Sequence, residues 1–464
     1  MVDALCPAFQ QPVHQRLLID PNSRDRPYFA TMRYEQLAAL LLASALFGIS
    51  CKKDEARDAP VVTIIAPNDG FSISVPDTLL VSADVSGKST IDRVSITLTD
   101  ANGVPVTASI SVVPSSNPAR IGIGLPLLSD HIASGNCTLT VQAVSGDRTT
   151  KDYRHVNVTG TPRRLRAIMV LSQPVAGAVQ LHRIDSVGDL ALLNTFVSDL
   201  GGAVVSSYDQ TLGMMGPLTG PLSALAPDGV HVRWQQPNLS TGGIPWFTSL
   251  DALSDDRFYV GGADGALRGF NALTGASEFV SFLAAGFRAQ RAARVDDHLL
   301  VAEKNLAGTQ YKLRICQAFS GALLDEQFLD KDIIAMIGRD ATHALLFGNR
   351  NAQGVVEDRD LSGGGGWEPH AWTSPITAVT QAEQGVHLVA LANGDLERFT
   401  YANAGSTTIA SGAAIRTLAY DPVGGAVYAG RGTEVVSIDP SSGTILGTWS
   451  IGADVAYVLV LLNK

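Results

Sequence analysis

The chain has 464 residues, which is enough for two or three domains. Charged residues make up 17% of it, against about a quarter in a typical soluble protein, and its 45 glycines exceed average usage. The net charge is −10, and lysine and arginine form no block beyond Lys52-Lys53, which argues against a nucleic-acid partner. Low charge with many glycines and β-branched residues predicts an all-β protein rich in tight turns.

The N-terminal region has the composition of a targeting segment. The first 31 residues carry four prolines, mixed charge and no hydrophobic period. Met32 and Arg33 then supply a start and a positive charge directly before an apolar run over 37–49. That run is too short to span a bilayer and has the length of a signal-peptide core. We therefore expect 1–31 to be an extension from a misplaced start codon and 32–50 to be a signal peptide.

Cys51 follows small residues and is followed at once by the charged residues 52–55. This pattern resembles the lipobox of bacterial lipoproteins. The resemblance implies that the Cys51 thiol is acylated and becomes the mature N-terminus, so that 51–60 would be a lipidated tether on the membrane. The alternatives are an ordinary cleavable signal with a chance cysteine, or a buried core helix. Residues 52–55 also resemble an export tag, which implies an outer-membrane lipoprotein exposed on the cell surface; the alternative faces the periplasm.

Residues 61–160 predict a β-sandwich. About seven short strands fit into this segment, separated by turn signals such as Asn102-Gly103. The stretch 133–141 is similar to the immunoglobulin-like modules of bacterial surface proteins, with Cys137 where such modules often have tyrosine. The resemblance implies the broad class and a spacer role. Because Cys137 and Cys316 fall in different predicted domains, we expect buried free thiols.

Residues 165–464 repeat. Five units share an apolar strand, a polar loop, a second strand and a turn closed by glycine, and the closing glycines lie 46, 42, 42 and 38 residues apart. They are Gly275, Gly321, Gly363, Gly405 and Gly443. Two weaker units precede them. Four strands per unit at this period predict a β-propeller of seven blades, with six or eight as alternatives.

The last strand has no unit of its own. Residues 455–462 are an apolar strand with no room for the rest of a blade, whereas the first unit, 167–196, has three strands instead of four. We predict that 455–462 supplies the innermost strand of the first blade, because pairing there removes two exposed sheet edges. The side chains expected to be buried are Val455, Val458, Val460 and Leu462.

One unit carries a family pattern. Residues 439–443 form an Asp-x-x-Ser-Gly turn, and Trp449 follows it. This unit resembles the repeats of quinoprotein-like and YVTN-type β-propellers, which favour an Asp-x-x-Thr-Gly turn with a following tryptophan. The other units lack that tryptophan at this position. The resemblance therefore implies the fold over 165–464 and no quinone, and we expect no cofactor.

No strong catalytic motif occurs in the sequence, whether His-Glu-x-x-His, Cys-x-x-Cys or Gly-x-Ser-x-Gly. His298, His343 and His387 recur at the start of the predicted second strands. Blades around a ring would hold these histidines too far apart to share a metal ion. We therefore expect hydrogen-bonded turn histidines.

The candidate binding residues come from propeller geometry. Loops between the second and third strands of each blade gather on one face with the loops that join blades. We predict that this face contains Trp246 and Arg288 from inter-blade loops, together with Lys304, Arg350 and Arg431. Planar donors and an aromatic ring suit protein or glycan binding, and an ordinary solvated face is the alternative.

We therefore expect an anchored, non-catalytic binding lipoprotein. The alternative is a propeller enzyme, a polysaccharide lyase or hydrolase, with its site at the channel mouth. A cluster of histidine, tyrosine and carboxylate groups from several blades would favour the enzyme.

The chain would enter the propeller in the second strand of its first blade, so the sandwich is expected at the opposite face from Arg350 and Arg431.

Overall fold

The computed structural model describes residues 58–254, 256–363 and 365–464. The predicted extension, the signal peptide, Cys51 and most of the tether lie outside these ranges. Within them the chain folds into 36 β-strands and one short 3-10 helix, Tyr401–Asn403, which confirms the all-β class. Over the same residues, no helix has the length and hydrophobicity that crossing a bilayer requires.

The first eight strands form the predicted sandwich. They are β1 (Val61–Ala66), β2 (Phe71–Ser74), β3 (Asp77–Ser86), β4 (Arg93–Thr99), β5 (Ile110–Val112), β6 (Ala119–Leu127), β7 (Gly135–Ser145) and β8 (Arg148–Thr159). One sheet has the order β1-β3-β6 and the other β2-β8-β7-β4-β5. Because successive side chains of a strand face opposite sides, alternate residues such as Leu79 in β3 and Leu139 in β7 fill the space between the sheets.

The remaining strands form seven four-stranded sheets, which we number as blades 1 to 7. Blade 1 contains β9 (Leu165–Val175), β10 (Ala178–Asp185), β11 (Leu190–Val197) and the last strand, β36 (Asp454–Leu462). Blade 2 contains β12 (Gly202–Ser206), β13 (Thr211–Met215), β14 (Leu222–Leu225) and β15 (Val232–Gln236). Blade 3 contains β16 (Phe247–Ser254), β17 (Arg257–Gly262), β18 (Ala266–Asn271) and β19 (Ser277–Phe282).

The other four blades repeat this arrangement. Blade 4 contains β20 (Phe287–Val295), β21 (His298–Asn305), β22 (Tyr311–Gln317) and β23 (Leu323–Leu329). Blade 5 contains β24 (Asp332–Asp340), β25 (His343–Arg350), β26 (Gln353–Asp360) and β27 (Gly366–Trp372). Blade 6 contains β28 (Ile376–Glu383), β29 (Val386–Leu391), β30 (Asp395–Thr400) and β31 (Gly405–Ser411). Blade 7 contains β32 (Thr417–Asp421), β33 (Ala426–Arg431), β34 (Glu434–Ile438) and β35 (Ile445–Ser450).

The predicted closure of the ring is confirmed. Strand β36 pairs antiparallel with β9, and the innermost strands contact one another in the order β36, β12, β16, β20, β24, β28, β32 and back to β36. Val455, Val458, Leu461 and Leu462 are buried. The expected burial of Val460 is only partly met: Val460 pairs with Ile168 and packs against the cluster that contains Val455 and Val458, but it is only half-buried.

The two faces of the propeller follow from strand direction. Each innermost strand begins on the face where the inter-blade loops lie, so the loops between second and third strands lie there too; we call it the upper face. The chain enters through β9, a second strand, and therefore from the lower face. Asn463, just after β36, holds the chain at this point of entry. Its side-chain oxygen accepts from the Arg164 backbone N–H at 2.8 Å, and its own backbone N–H donates to the Arg164 carbonyl at 3.0 Å.

The sandwich contacts the lower face. His131 of the sandwich stacks on Tyr208, in the lower loop between β12 and β13, with ring centroids 3.9 Å apart. The sandwich therefore lies opposite the face that carries the ends of β25 and β33. Cys137 and Cys316 are both buried and free, which confirms the expectation from their positions.

Candidate functional site

The predicted binding residues lie around the upper face, on several blades. Lys304, Arg350 and Arg431 end or nearly end the second strands β21, β25 and β33. Trp246 lies in the loop 237–246, between blades 2 and 3. Arg288 is not in an inter-blade loop as expected: β20 already begins at Phe287, so Arg288 is its second residue, directly across from Lys304.

The cationic members of this set already have carboxylate partners. The Lys304 ammonium lies 2.9 Å from a carboxylate oxygen of Asp332 and 5.2 Å from the centroid of the Tyr311 ring. Burial alone would lower the pKa of Lys304, but the bond to Asp332 outweighs it and raises that pKa. Arg431 lies 3.4 Å from Glu434. These pairs limit the freedom of both cationic groups to turn toward a partner.

Arg350 belongs to a larger ionic cluster on blade 5. Its guanidinium lies 2.7 Å from both Asp330 and Glu368. Hydrogen bonds to these two carboxylates raise the pKa of Arg350 above its usual value, and the bond to Glu368 has the larger effect. Lys331, only 2% exposed, bonds Glu368 at 2.8 Å and Glu357 at 2.6 Å. Nothing in the sequence distinguishes Lys331 or Glu357, because a charged residue in or beside a strand ordinarily indicates a solvated surface.

Trp246 lines a cleft of about 380 Å³ between blades 2 and 3. One side is the loop 237–246, which supplies Pro237, Leu239 and Trp246. The Trp246 amide donates to the Pro217 carbonyl of blade 2 at 2.9 Å, and the Trp246 carbonyl accepts from the Ala263 amide of blade 3 at 2.7 Å. Backbone hydrogen bonds to both blades therefore hold Trp246 in place. Its ring lies edge-on to Phe247, with centroids 6.5 Å apart.

The opposite side of the cleft is the face of blade 3. Val260 and Phe270 line it, together with the glycine pair 261–262 and Arg268. The Arg268 guanidinium bonds Asp264 at 2.5 and 3.1 Å, and these bonds hold the pKa of Asp264 below its ordinary value. A Cβ at Gly262 would lie 2.5 Å from Asp264 and 2.9 Å from Arg268, so the absence of a side chain there lets the ion pair lie against the strand.

The recurring histidines differ from one another. His343 begins β25, and its ring bonds Asp340 and Thr342 of the preceding turn, so it is hydrogen-bonded as expected. The expectation of a hydrogen-bonded turn is wrong for His387, which is the second residue of β29, is 1% exposed and has no hydrogen-bond partner at either ring nitrogen. Within the three described ranges, no group of three or more His, Cys, Asp or Glu residues could hold a metal ion.

Comparison with known proteins gave one family match and a set of similar solved structures. Residues 60–143 match the family described as Bacterial Ig domain. Among solved structures, the WD40 β-propeller domain of Doa1 is 14% identical, with a TM-score of 0.46 over 57% of this chain and 86% of that one. BamB from Moraxella catarrhalis is 16% identical, with a TM-score of 0.35 over 54% of this chain and 78% of that one. No curated protein matches the chain. The sheets of the described residues, with the family match over 60–143, define an immunoglobulin-like sandwich followed by a β-propeller.

Proposed function

We propose that this protein is a non-catalytic binding lipoprotein. Acyl chains on Cys51 hold it at the outer membrane, and the propeller presents its upper face to a protein or glycan partner. One observation carries the proposal: the sandwich contacts the lower face at Tyr208, so the upper face remains open, including the end of the cleft formed by Trp246, Gly261 and Gly262. Residues 52–55 favour display on the cell surface over a position facing the periplasm.

The upper face has exposed apolar groups suited to a partner. Leu239 and Ile244, in the same loop as Trp246, are 56% and 52% exposed, and Leu306 between β21 and β22 is 63% exposed. Lys304 and Arg350, by contrast, already have carboxylate partners. Binding energy at protein interfaces concentrates in a few anchor residues, among which tryptophan is enriched. The region around Trp246 is therefore the favoured contact area.

Site-specific photo-cross-linking tests this proposal in the cells that make the protein. A photoreactive residue replaces Ile244 on the upper face or, as a matched exposed control, Ser442 on the lower face. We expect adducts from position 244 and few from position 442, and digestion with proteases or glycosidases assigns the partner class. Adducts from position 442 alone, or from neither position, would reject the proposal. Cleavage of a polysaccharide by the purified protein would favour the lyase or hydrolase alternative.

A further inference from the structure

We propose that the cleft between blades 2 and 3 binds an extended peptide segment of a partner protein, with aliphatic side chains of the peptide filling the cleft. The inference rests on the proposed function, since it names the partner class and the place where that partner binds. Three features carry it: the lining of the cleft, the apolar strip that continues from it, and the free edge of the strand beside it.

The lining favours apolar side chains. The volume of about 380 Å³ lies toward the lower end of the range for ligand pockets, about 300–1,000 Å³. Pro237, Leu239 and Trp246 face Val260 and Phe270 across it. If apolar side chains of a peptide filled the cleft, apolar surface of both the peptide and the cleft would be removed from water. This removal is the main source of favourable binding energy.

Beyond the ion pair of Arg268 with Asp264, exposed apolar side chains continue outward along blade 3. Val260, Arg268 and Val280 are cross-strand partners and therefore share one face of the sheet. Val280 is 45% exposed, and Phe282, on the same face two residues further along β19, is 72% exposed. The result is a narrow strip from the cleft toward the rim of the propeller, a shape that fits an extended chain better than a globular partner.

The strand beside the cleft can extend its sheet. Strand β15 is the outermost strand of blade 2, and no described strand pairs with its outer edge. An extended peptide that adds to such an edge gains main-chain hydrogen bonds, while alternate side chains enter pockets on one side. Because β15 ends at Gln236, which lines the cleft, a peptide on this edge would direct side chains into it.

Polar groups in the lining are too few to favour a glycan. Gln236, Arg268 and Ser277 are the polar side chains among the described residues that line the cleft. Arg268 is engaged by Asp264, which neutralises its charge. A sugar would leave most of its hydroxyl groups facing apolar side chains without hydrogen bonds, which disfavours binding. A peptide with two aliphatic side chains meets the same walls without that cost.

Selection from a phage-displayed library of random dodecapeptides tests the inference. The target is the full chain with Cys51→Ser, which keeps it free of lipid. We expect enriched peptides with two aliphatic residues at alternate positions. Leu239→Ser should weaken the selected peptides by about tenfold, which corresponds to the loss of one buried aliphatic contact. Val280→Ser should weaken them too. The matched control is Ile445→Ser: Ile445 is 49% exposed and lines a smaller cleft, of about 200 Å³, between blades 6 and 7.

The outcomes separate this inference from the proposed function. Unchanged circular dichroism and melting temperature establish that the exposed-site variants fold. No enriched peptide, or peptides equally sensitive to Ile445→Ser, would overturn the inference. Binding of an arrayed glycan that is lost in Leu239→Ser would also overturn it, while leaving the proposed function intact. If cross-links form at position 244 but Leu239→Ser leaves them unchanged, the partner binds the upper face outside the cleft and only the inference fails.

Discussion

Single buried polar residues show how a chain with a low fraction of charged residues still places charged side chains inside the blades of its propeller. Lys331 is almost fully buried, yet two carboxylates, Glu357 and Glu368, lie within 2.8 Å of its ammonium. Removing one partner of such a pair leaves an uncompensated buried charge, which costs about 3–5 kcal/mol in other proteins. The Arg350 cluster therefore serves the fold of blade 5, and we do not expect it to be the anchor for a partner.

His387 should make stability depend on pH. Burial lowers its pKa from 6.5 to about 4, and Phe347 and Phe399 surround it, with centroids 5.2 and 6.2 Å away. The unfolded chain binds a proton at this histidine below about pH 6.5, whereas the folded protein does so only near pH 4. Stability contributed by neutral His387 is thus present above pH 6.5 and falls, by about 3 kcal/mol in total, as the pH drops toward 4.

Melting curves between pH 7.5 and pH 4 of the wild type and of His387→Leu check this expectation. The variant should lose part of the wild-type decrease in melting temperature across this range, since leucine cannot be protonated. Parallel pH profiles for the two proteins would show that His387 does not titrate differently in the folded state.

Trp449 should stabilise the junction between the last blade and the first. Its indole N–H donates to the carbonyl of Gly188, in the lower turn of blade 1, at 2.8 Å. Trp449→Phe keeps an aromatic ring but loses that bond and the packing of the indole's five-membered ring, and we expect a cost of at least about 1 kcal/mol in unfolding free energy. The matched control is Trp367→Phe, because Trp367 is 54% exposed and its bond to Asp358 is longer, at 3.3 Å. Equal effects of the two substitutions in chemical denaturation would contradict this role.

The role of Trp234 could not be predicted from the repeat pattern of the sequence. Its indole donates to the Ala272 carbonyl of blade 3 at 2.9 Å, so it docks blade 2 on blade 3 as Trp449 docks blade 7 on blade 1. In the sequence only Trp449 matched the family turn, because Trp234 follows Gly229 at a different spacing from that between Gly443 and Trp449. A role that depends on the neighbouring blade is not fixed by local spacing.

Among the elements, strand β36 has the clearest expected effect. Deleting 455–464 removes its pairing with β9 and the burial of Val455, Val458, Leu461 and Leu462. Each such side chain contributes about 1.5–3 kcal/mol when fully buried. The shortened protein should aggregate or melt far below the wild type. Deleting 463–464 alone is the control, since it removes only the contacts of Asn463 with the linker. A wild-type melting temperature after the longer deletion would mean that β36 does not stabilise the ring.

The elements were largely predictable because strands and turns are local features. Closing glycines at regular spacing located the second strands of blades 3 to 7, and the short first unit indicated that the C-terminal strand completes it. Arg288 was misplaced because nothing in the sequence distinguishes the end of an inter-blade loop from the start of β20. The cleft at Trp246 was not predicted, because its walls come from different blades and their separation depends on packing between sheets.

For the whole molecule, the first expectation concerns the anchor. Cys51→Ser should prevent acylation and release the protein from membranes, since two or three acyl chains are what would hold it stably. Cells fed a clickable palmitate analogue should label the wild type and not the variant. Equal labelling of the two proteins, or retention of the variant in washed membranes, would reject the lipoprotein assignment.

The second expectation concerns orientation relative to the membrane. The tether leads into the sandwich, and the sandwich contacts the lower face at Tyr208, so the upper face should point away from the lipid. Leu306→Cys places a thiol on the upper face and Ser442→Cys places one on the lower face; both positions are exposed. Burial raises the pKa of the Cys137 and Cys316 thiols, so neither native thiol should compete for the label.

A membrane-impermeant maleimide applied to intact cells measures this orientation. Position 306 should label faster than position 442 on cells, whereas the two should label at similar rates in purified protein that carries Cys51→Ser. Labelling of position 306 only after lysis would place the propeller on the periplasmic side, because the reagent cannot cross the outer membrane. Faster labelling of position 442 on intact cells would mean that the lower face is the more accessible one, and the upper face would then lie toward the membrane and away from any partner outside the cell.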